Sequence, residues 1–409
     1  MRDLFPATPL EKNEYLSKKY GANIYLKRED LTPVRSYKIR GAFHLIDLEV
    51  SKASKEEKKK KKFVCASAGN HAQGFAYACN YFKVKGTVFM PVTTPQQKIG
   101  RTKDFGGRYV DIKLVGDTFD EAYAESKKFA EKEKAFYVPP FDHDEIIRAT
   151  GTVSVEILNS LGAKDLDLVI FPVGGGGLSA GNTKYLKLAS PKTDILYAEP
   201  QGAPSLYTAI QKKKPVMLEK IDTFVDGAAV AKIGEKPFKI LKDGKVFLCP
   251  ENRISKTILD FLYYTGIVLE PAGALAIDSL ENIFSDKKLA KKYKGKNIVA
   301  IVSGGNFDFA RLPDLEERKL KWEGLKRYLI LKLPQRPGAL KEFLNLLGKD
   351  DDITRFEYLK KSAKSFGSVL LGIQTTKKEN FEKIFKKLEE NKFDFEDITE
   401  KEIYFDFLI

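Results

Sequence analysis

The chain reads as a mostly parallel α/β protein joined to a smaller βαββαβ unit of ferredoxin-like order. Three observations carry this. Up to about residue 320, apolar runs of strand length alternate with segments of helical spacing, the pattern of parallel α/β architecture. After Trp322 the order becomes strand, helix, strand, strand, helix, strand. With 409 residues the chain is also too long for one simple core, so two or three domains are expected.

The strand-like runs are NIYLK (23–27), FVCA (63–66), TVFMP (87–91), LVIFPV (168–173), ILYAEP (195–200) and NIVAIVS (297–303). They are rich in β-branched and aromatic side chains. Several run out into small or polar residues and then a helical pattern, and open α/β sheets bind ligands at those carboxyl ends. KEEKKKKK, Lys55 to Lys62, is the strongest charge run and reads as a solvated loop or helix end. Beyond Trp322, RYLILKL (327–333) is a strand and PQRPG a turn. Leu340, Phe343, Leu344 and Leu347 fall at i, i+3, i+4 and i+7, which predicts a helix with one apolar face. ITRFEYL (353–359) and GSVLLGI (367–373) follow as strands. Phe381, Ile384, Phe385 and Leu388 repeat the helical spacing, and IYFDFLI (403–409) closes as a strand.

Composition narrows the function. At 43% hydrophobic and 31% charged, the chain is that of a soluble globular protein. A formal net charge of +14 raises nucleic acid or anionic membrane as partners, but the lysines are spread along the chain and interleaved with Asp and Glu. RNA-recognition modules share the βαββαβ order and stack bases on aromatics of the third strand. Here the best match, KSFGS (364–368), offers only Phe366. No nucleic-acid partner and no membrane partner is expected. MRDLFPATPL has no apolar signal core, and no stretch is long enough to span a bilayer. Cys65, Cys79 and Cys249 show no C-x-x-C spacing, which predicts a reducing, cytoplasmic setting. His44, His71 and His143 are the only histidines, so no metal site is expected.

Four strand ends carry candidate chemistry. In RSYKIRGA (35–42), Lys38 sits among apolar and small neighbours. A buried lysine of lowered pKa forms Schiff bases, while taken alone a lysine is more often a snorkelling surface charge. SAGNHAQG (67–74) follows a strand and opens a helix, where bare N–H groups suit a carboxylate or phosphate. The plain alternative is a helix cap by Ser67 or Asn70. PVGGGGLSAG (172–181) places four glycines between strand and helix at an entropic cost that an anion cradle of N–H groups explains. Ser179 and Ala180 stand where a dinucleotide fingerprint needs glycine, and no G-K-[ST] follows. VSGGN (302–306) puts the Ser303 hydroxyl at a strand tip.

In order and spacing these motifs resemble the fold-type-II pyridoxal-phosphate (PLP) enzymes, most closely the biosynthetic threonine dehydratases with a single C-terminal ACT-like domain. YLKREDL, SYKIRGA, CASAGNHAQG, PVGGGGLSAG, EPAGALA, SGGN, FVDGAAV and PQRPGALKEFL all match, so the resemblance covers nearly the whole chain. It implies a tryptophan-synthase-β-like catalytic domain over 1–320, with a smaller α/β subdomain at about 41–140 inserted in the larger, and an ACT-like regulatory domain over 325–409. It implies that Lys38 carries PLP and is the catalytic base. The cofactor phosphate is expected on Gly174, Gly175, Gly176, Gly177 and Leu178, its phenolic oxygen at Asn70 and its ring nitrogen at Ser303. A neutral hydroxyl at that nitrogen, unlike a carboxylate, disfavours a long-lived carbanion and suits β-elimination. Ser67, Ala68, Gly69, Asn70 and His71 are expected to hold the substrate carboxylate.

The implied reaction is conversion of L-threonine, and also L-serine, to the 2-oxo acid and ammonia. For threonine this is the first committed step of isoleucine biosynthesis. The resemblance further implies isoleucine and valine as effectors and a homotetramer. Glu270 of EPAGALA lies near the cofactor in the family, with no step assigned. One departure is RATGTVSVEI (148–157), where Ala149 and Thr150 replace a Gly-Gln pair and put rate and substrate preference in doubt. The chain also starts closer to ATPL than most relatives, so an N-terminal helix is expected to be missing. Catabolic serine/threonine dehydratase and serine racemase are the alternative enzymes, and they usually lack the C-terminal unit. An inactive amino-acid sensor is the other alternative.

Overall fold

The computed structural model describes residues 5–359 and 365–401. The chain forms two compact units, Met1–Asp308 and Phe309–Ile409.

The first unit contains the strands β1 (Leu10–Lys12), β2 (Asn23–Arg28), β3 (Lys62–Ala66), β4 (Lys85–Met90), β5 (Val110–Leu114), β6 (Phe136–Tyr137), β7 (Leu168–Pro172), β8 (Asp194–Pro200), β9 (Lys245–Cys249) and β10 (Asn297–Val302). They build two sheets, in the orders β1-β2-β10-β7-β8-β9 and β5-β4-β3-β6. Neighbours are parallel except β1, which runs antiparallel to β2 along the edge. Each of the six strands expected from sequence lies inside a sheet, and β1, β5, β6 and β9, which were not expected, are the edges. The reason is coverage. β7 is buried at all five positions and so reads as an unbroken apolar run. β5 (VDIKL) alternates apolar with charged residues, and β6 has two residues.

Helices cover the sheets and bring the strand ends together. Helix Lys38–Ser51 packs on helix Asn70–Phe82. A Cβ at Gly74 would fall 3.0 Å from the Ile39 nitrogen and 3.1 Å from the Lys38 carbonyl carbon, so glycine there permits the close approach. Ile39, Phe63, Phe75 and Val88 form the core beside the smaller sheet, and Val169, Phe171, Val299 and Ile301 beside the larger. The lysine run is a helix, Lys55–Lys60, started by a capping box in which Ser54 Oγ accepts from the Glu57 N–H and Glu57 accepts from the Ser54 N–H.

In the second unit, helix Leu312–Trp322 leads into β11 (Lys326–Pro334). Helix Ala339–Leu344, β12 (Asp351–Leu359), β13 (Phe366–Thr375), helix Glu379–Glu390 and β14 (Asp394–Asp397) follow. The antiparallel sheet has the order β12-β13-β11-β14, which is ferredoxin-like. Leu329, Leu331, Phe343, Leu371, Phe381 and Leu388 fill its core. One expectation falls outside the described residues and one differs. The run IYFDFLI lies outside the described residues, and β14 is the strand that pairs with β11. The helix from Ala339 ends at Leu344 rather than reaching Leu347, because the Leu346 and Leu347 N–H groups turn back to the Phe343 and Leu344 carbonyls. Phe343 is buried while Leu340 and Leu344 stay exposed. Phe366 is exposed on β13, and Lys364 lies outside the described residues.

Candidate active site

The loops at 67–71 and 174–178 and Ser303 sit just beyond the carboxyl end of a strand, and Lys38 opens helix Lys38–Ser51 ten residues after β2 ends. Ser67 to His71 follow β3, Gly174 to Leu178 follow β7 and Ser303 follows β10. Lys38, His71, Gly177 and Leu178 line one small cavity with Tyr37, Pro140, Ile146 and Thr150. Lys38 Nζ donates to the Pro140 carbonyl at 3.0 Å and lies 5.3 Å from the centre of the Tyr37 ring. The partly buried lysine is thus aimed across the cavity rather than into solvent. Ser303 does not line that cavity. Its backbone carbonyl accepts the Tyr37 N–H at 3.1 Å, and its Oγ donates to the Ala272 carbonyl at 3.2 Å.

The tetraglycine loop answers to packing as well as to anion binding. A Cβ at Gly175 would fall 2.3 Å from the Phe141 ring, and one at Gly174 would fall 2.8 Å from Ala228 Cα. Gly176 caps helix Gly177–Ala189 at φ +85°, a conformation that favours glycine. Glycine is therefore required by the walls of the loop, which the sequence alone did not reveal. The N–H groups of Gly174 through Leu178 have no partner among the described residues, and all but Gly174 are buried. Buried donors in series at a helix start call for an anion, so these residues fit the PLP phosphate. Lys38 in the adjoining cavity fits its aldehyde.

The Ser67–His71 loop is not a conventional cap. Gly69 precedes helix Asn70–Phe82, and no side chain caps it. Ser67 Oγ accepts the Gly69 N–H at 3.2 Å, while the Ser67 N–H is used by Phe89. The N–H groups of Ala68, Asn70 and His71 have no partner among the described residues. His71 is buried, and its Nε2 donates to the Val138 carbonyl at 2.9 Å. Burial, then the Lys38 charge, push its pKa down to about 3, so the ring is neutral and its side chain structural.

Four sets of contacts were not legible in the sequence. The Asn70 side chain donates to Glu270 Oε1 at 2.7 Å and accepts from Asn306 Nδ2 at 2.8 Å. Thr150, the departure from the family pattern, has its hydroxyl 2.8 Å from the Ile147 carbonyl and 2.9 Å from that of Gly177, tying its helix to the glycine loop. Two residues past Lys38, Arg40 belongs to a buried ionic cluster. Arg40 grips Glu29 through Nε at 2.7 Å and Nη2 at 2.8 Å, and Glu156 through Nη1 at 2.7 Å and Nη2 at 2.8 Å. Lys27 Nζ adds a 2.6 Å bond to Glu156. Burial works against the charge on Glu156, but Arg40 and Lys27 outweigh it and hold its carboxyl below the usual range. Glu199, at the end of β8, is fully buried and accepts the Leu206 and Tyr207 N–H groups at 2.7 and 2.8 Å. No group of three or more His, Cys, Asp or Glu side chains that could hold a metal occurs among the described residues.

Glu270 gives a pH prediction. Burial, then the nearby Asp226 charge, raise its carboxyl from 4.5 to about 7, against the opposing effect of Asn70, Asn306 and Lys98. The folded chain therefore holds a proton there more tightly than the unfolded one. Ionised Glu270 costs stability as pH rises from 4.5 through 7, by roughly 3 kcal/mol at alkaline pH. Glu270→Gln is expected to melt higher than the parent at pH 8, with the gain fading towards pH 5. A gain that did not change with pH would refute this account.

Comparisons with known proteins bear on the family and the fold. The family described as pyridoxal-phosphate dependent enzyme matches residues 1–304, and the C-terminal regulatory domain of threonine dehydratase matches residues 317–408. The biosynthetic L-threonine dehydratase of Halalkalibacterium halodurans is 46% identical over all of this chain and 96% of its own length. That of Bacillus subtilis is 42% identical over all of this chain and 95% of its own. Among solved structures, the processed form of threonine deaminase isoform 2 from Solanum lycopersicum superposes with a TM-score of 0.70 at 39% identity, covering 78% of this chain and 84% of that one. Maize serine racemase superposes with a TM-score of 0.68 at 25% identity, covering 77% and 93%. A lysine facing a cavity beside buried, unpaired glycine amides, in a chain this similar to those proteins from end to end, places it in a known group: it belongs to the pyridoxal-phosphate-dependent enzymes, among the biosynthetic threonine dehydratases.

Proposed function

We propose that the chain converts L-threonine to 2-oxobutanoate and ammonia, using PLP held on Lys38, as the committed step of isoleucine biosynthesis. The observation that carries this is Lys38 Nζ, fixed by the Pro140 carbonyl in the cavity that it shares with Gly177 and Leu178. The amides of Gly174 to Leu178 would hold the cofactor phosphate, Asn70 its phenolic oxygen and Ser303 its ring nitrogen. When bound, PLP supplies a sink for the electron pair released from the substrate Cα.

The free N–H groups of Ala68, Asn70 and His71 hold the substrate carboxylate, and the helix start favours its negative charge. With PLP bound, Lys38 Nζ would take the Cα proton as general base, while the β-hydroxyl leaves as water. Neutral His71 beside it adds no positive charge to the cavity. Serine fits the same chemistry and would give pyruvate.

Residues 1–320 act as the catalytic domain, with a smaller subdomain at about 41–140, and 325–409 as the regulatory one. The sheet of β3 to β6 supports the smaller subdomain, and the two compact units support a two-domain chain, although they place 309–320 with the second unit. Isoleucine bound to the regulatory domain lowers turnover, with valine as a second effector. The coupling this needs is about 1–3 kcal/mol. The enzyme works as a homotetramer in the cytoplasm, a setting that the three buried free thiols suit. No helix among the described residues is long and apolar enough to cross a membrane.

The test follows 2-oxobutanoate release from L-threonine with and without L-isoleucine. Turnover suppressed roughly 5- to 150-fold by isoleucine is the expected result. Turnover indifferent to isoleucine and valine would remove the regulatory claim, and racemisation of serine without threonine turnover would favour the racemase reading.

A further inference from the structure

We propose that Glu270 and Asn306 are positioning residues that clamp the Asn70 amide in one orientation, keeping one of its N–H bonds free as a donor to the cofactor. This rests on the reading of Asn70 as a cofactor contact.

The argument is one of donors and acceptors. The two ends of an asparagine amide have nearly the same shape, and a half-turn would present an acceptor where a donor is needed. The Val34 carbonyl can only accept, so the Asn306 Nδ2 at 2.9 Å from it is fixed as the nitrogen. The same Nδ2 lies 2.8 Å from Asn70 and donates its second hydrogen there, which makes the Asn70 atom Oδ1. Asn70 Nδ2 must then face Glu270, whose Oε1 accepts at 2.7 Å. The other carboxylate oxygen of Glu270 accepts the Asn306 backbone N–H at 3.3 Å, closing a ring of three residues. Of the two Asn70 Nδ2 hydrogens, one is used by Glu270 and the other has no partner among the described residues.

The packing makes room for this ring. A Cβ at Gly304 would fall 2.1 Å from Glu270 Oε1, so glycine is needed at that position for the carboxylate to lie against the strand end. Glu270 stands at the start of helix Pro271–Ser285 without capping it through its side chain, and Asn70 likewise does not cap its own helix. Both side chains are spent on each other instead. The charged groups facing Glu270 are Asp226, from the FVDGAAV segment, and Lys98, from helix Gln96–Gly106, and those two pair with each other.

The experiment uses the purified holoenzyme and the variants Asn70→Ala, Glu270→Ala, Glu270→Gln and Asn306→Ala. It reads the position of the visible absorption band of the lysine-bound cofactor and the PLP affinity on reconstitution of the stripped protein. Melting of the stripped proteins checks that each variant folds. Asn70→Ala is expected to move the band and weaken PLP binding about tenfold, with Glu270→Ala and Asn306→Ala moving both in the same direction. The double variant Asn70→Ala/Glu270→Ala is expected to match Asn70→Ala, because both act through one contact. Glu270→Gln keeps an acceptor for Asn70 and is expected to restore the band.

If Asn70→Ala moves the band while Asn306→Ala and Glu270→Ala leave it in place, the clamp is overturned and the reading of Asn70 stands. If Asn70→Ala itself moves neither band nor affinity, the reading of Asn70 falls first and the clamp with it. Should Glu270→Ala fail to fold, Asn306→Ala and Glu270→Gln decide the matter alone.

Discussion

Lys38→Ala is expected to lower threonine turnover by about 10⁴-fold or more, because in the proposed mechanism one amine serves both as the cofactor's covalent anchor and as the base for the Cα proton. The loss should be chemical rather than structural. Among the described residues the side chain makes one hydrogen bond, to the Pro140 carbonyl, and removing one such bond costs about 1 kcal/mol. A variant that melts close to the parent, shows no borohydride-sensitive visible band and releases no 2-oxobutanoate is the predicted outcome. Turnover within tenfold of the parent would mean that Lys38 is not the base.

Arg40→Ala should do the reverse and damage the scaffold first. The Arg40 side chain is 1% exposed and makes charge-assisted bonds to Glu29, 0% exposed, and Glu156. Removing it leaves buried carboxylates short of countercharge, a change that costs about 3–5 kcal/mol. In a domain of this size that corresponds to a fall in melting temperature of roughly 10 °C, measured by calorimetry at neutral pH. Arg40 lies two residues after Lys38 on the same helix, so PLP affinity should fall with stability. Without Arg40 the Glu156 carboxyl loses much of what holds it below the usual range, so it would favour protonation, and the deficit should narrow at acid pH. A melting temperature within 2 °C of the parent, taken as about 1 kcal/mol or less, would show that the cluster contributes little.

Much of the site was legible because its requirements are local. An anion cradle needs consecutive small residues between a strand and a helix, and such a run is contiguous in sequence. GGGG, SAGNH and SGG could be read directly, as could the lysine among apolar neighbours. The interior strands could be read because burial on both faces writes an unbroken apolar run, while the four edge strands carry charges or are too short. The helix after PQRPG was overextended because i, i+3, i+4 spacing records which side chains could share a face, not where the backbone turns back to its own carbonyls.

The sequence by itself determined the order of the interior strands and the residue types in the four strand-end loops, since each depends on neighbours within a few positions. Tertiary structure decided the rest. Asn70 reads in sequence as a cofactor contact or a helix cap, and only the fold shows that its amide meets Glu270, 200 residues away. Glu156 reads as an ordinary helix glutamate until folding carries it to Arg40, 116 residues earlier. The glycines at 174 and 175 read as an anion loop alone until Ala228 and Phe141 are seen pressed against them. Charge pairing and steric walls act through space over a few ångströms, and no local pattern records which distant residue the fold will bring that close.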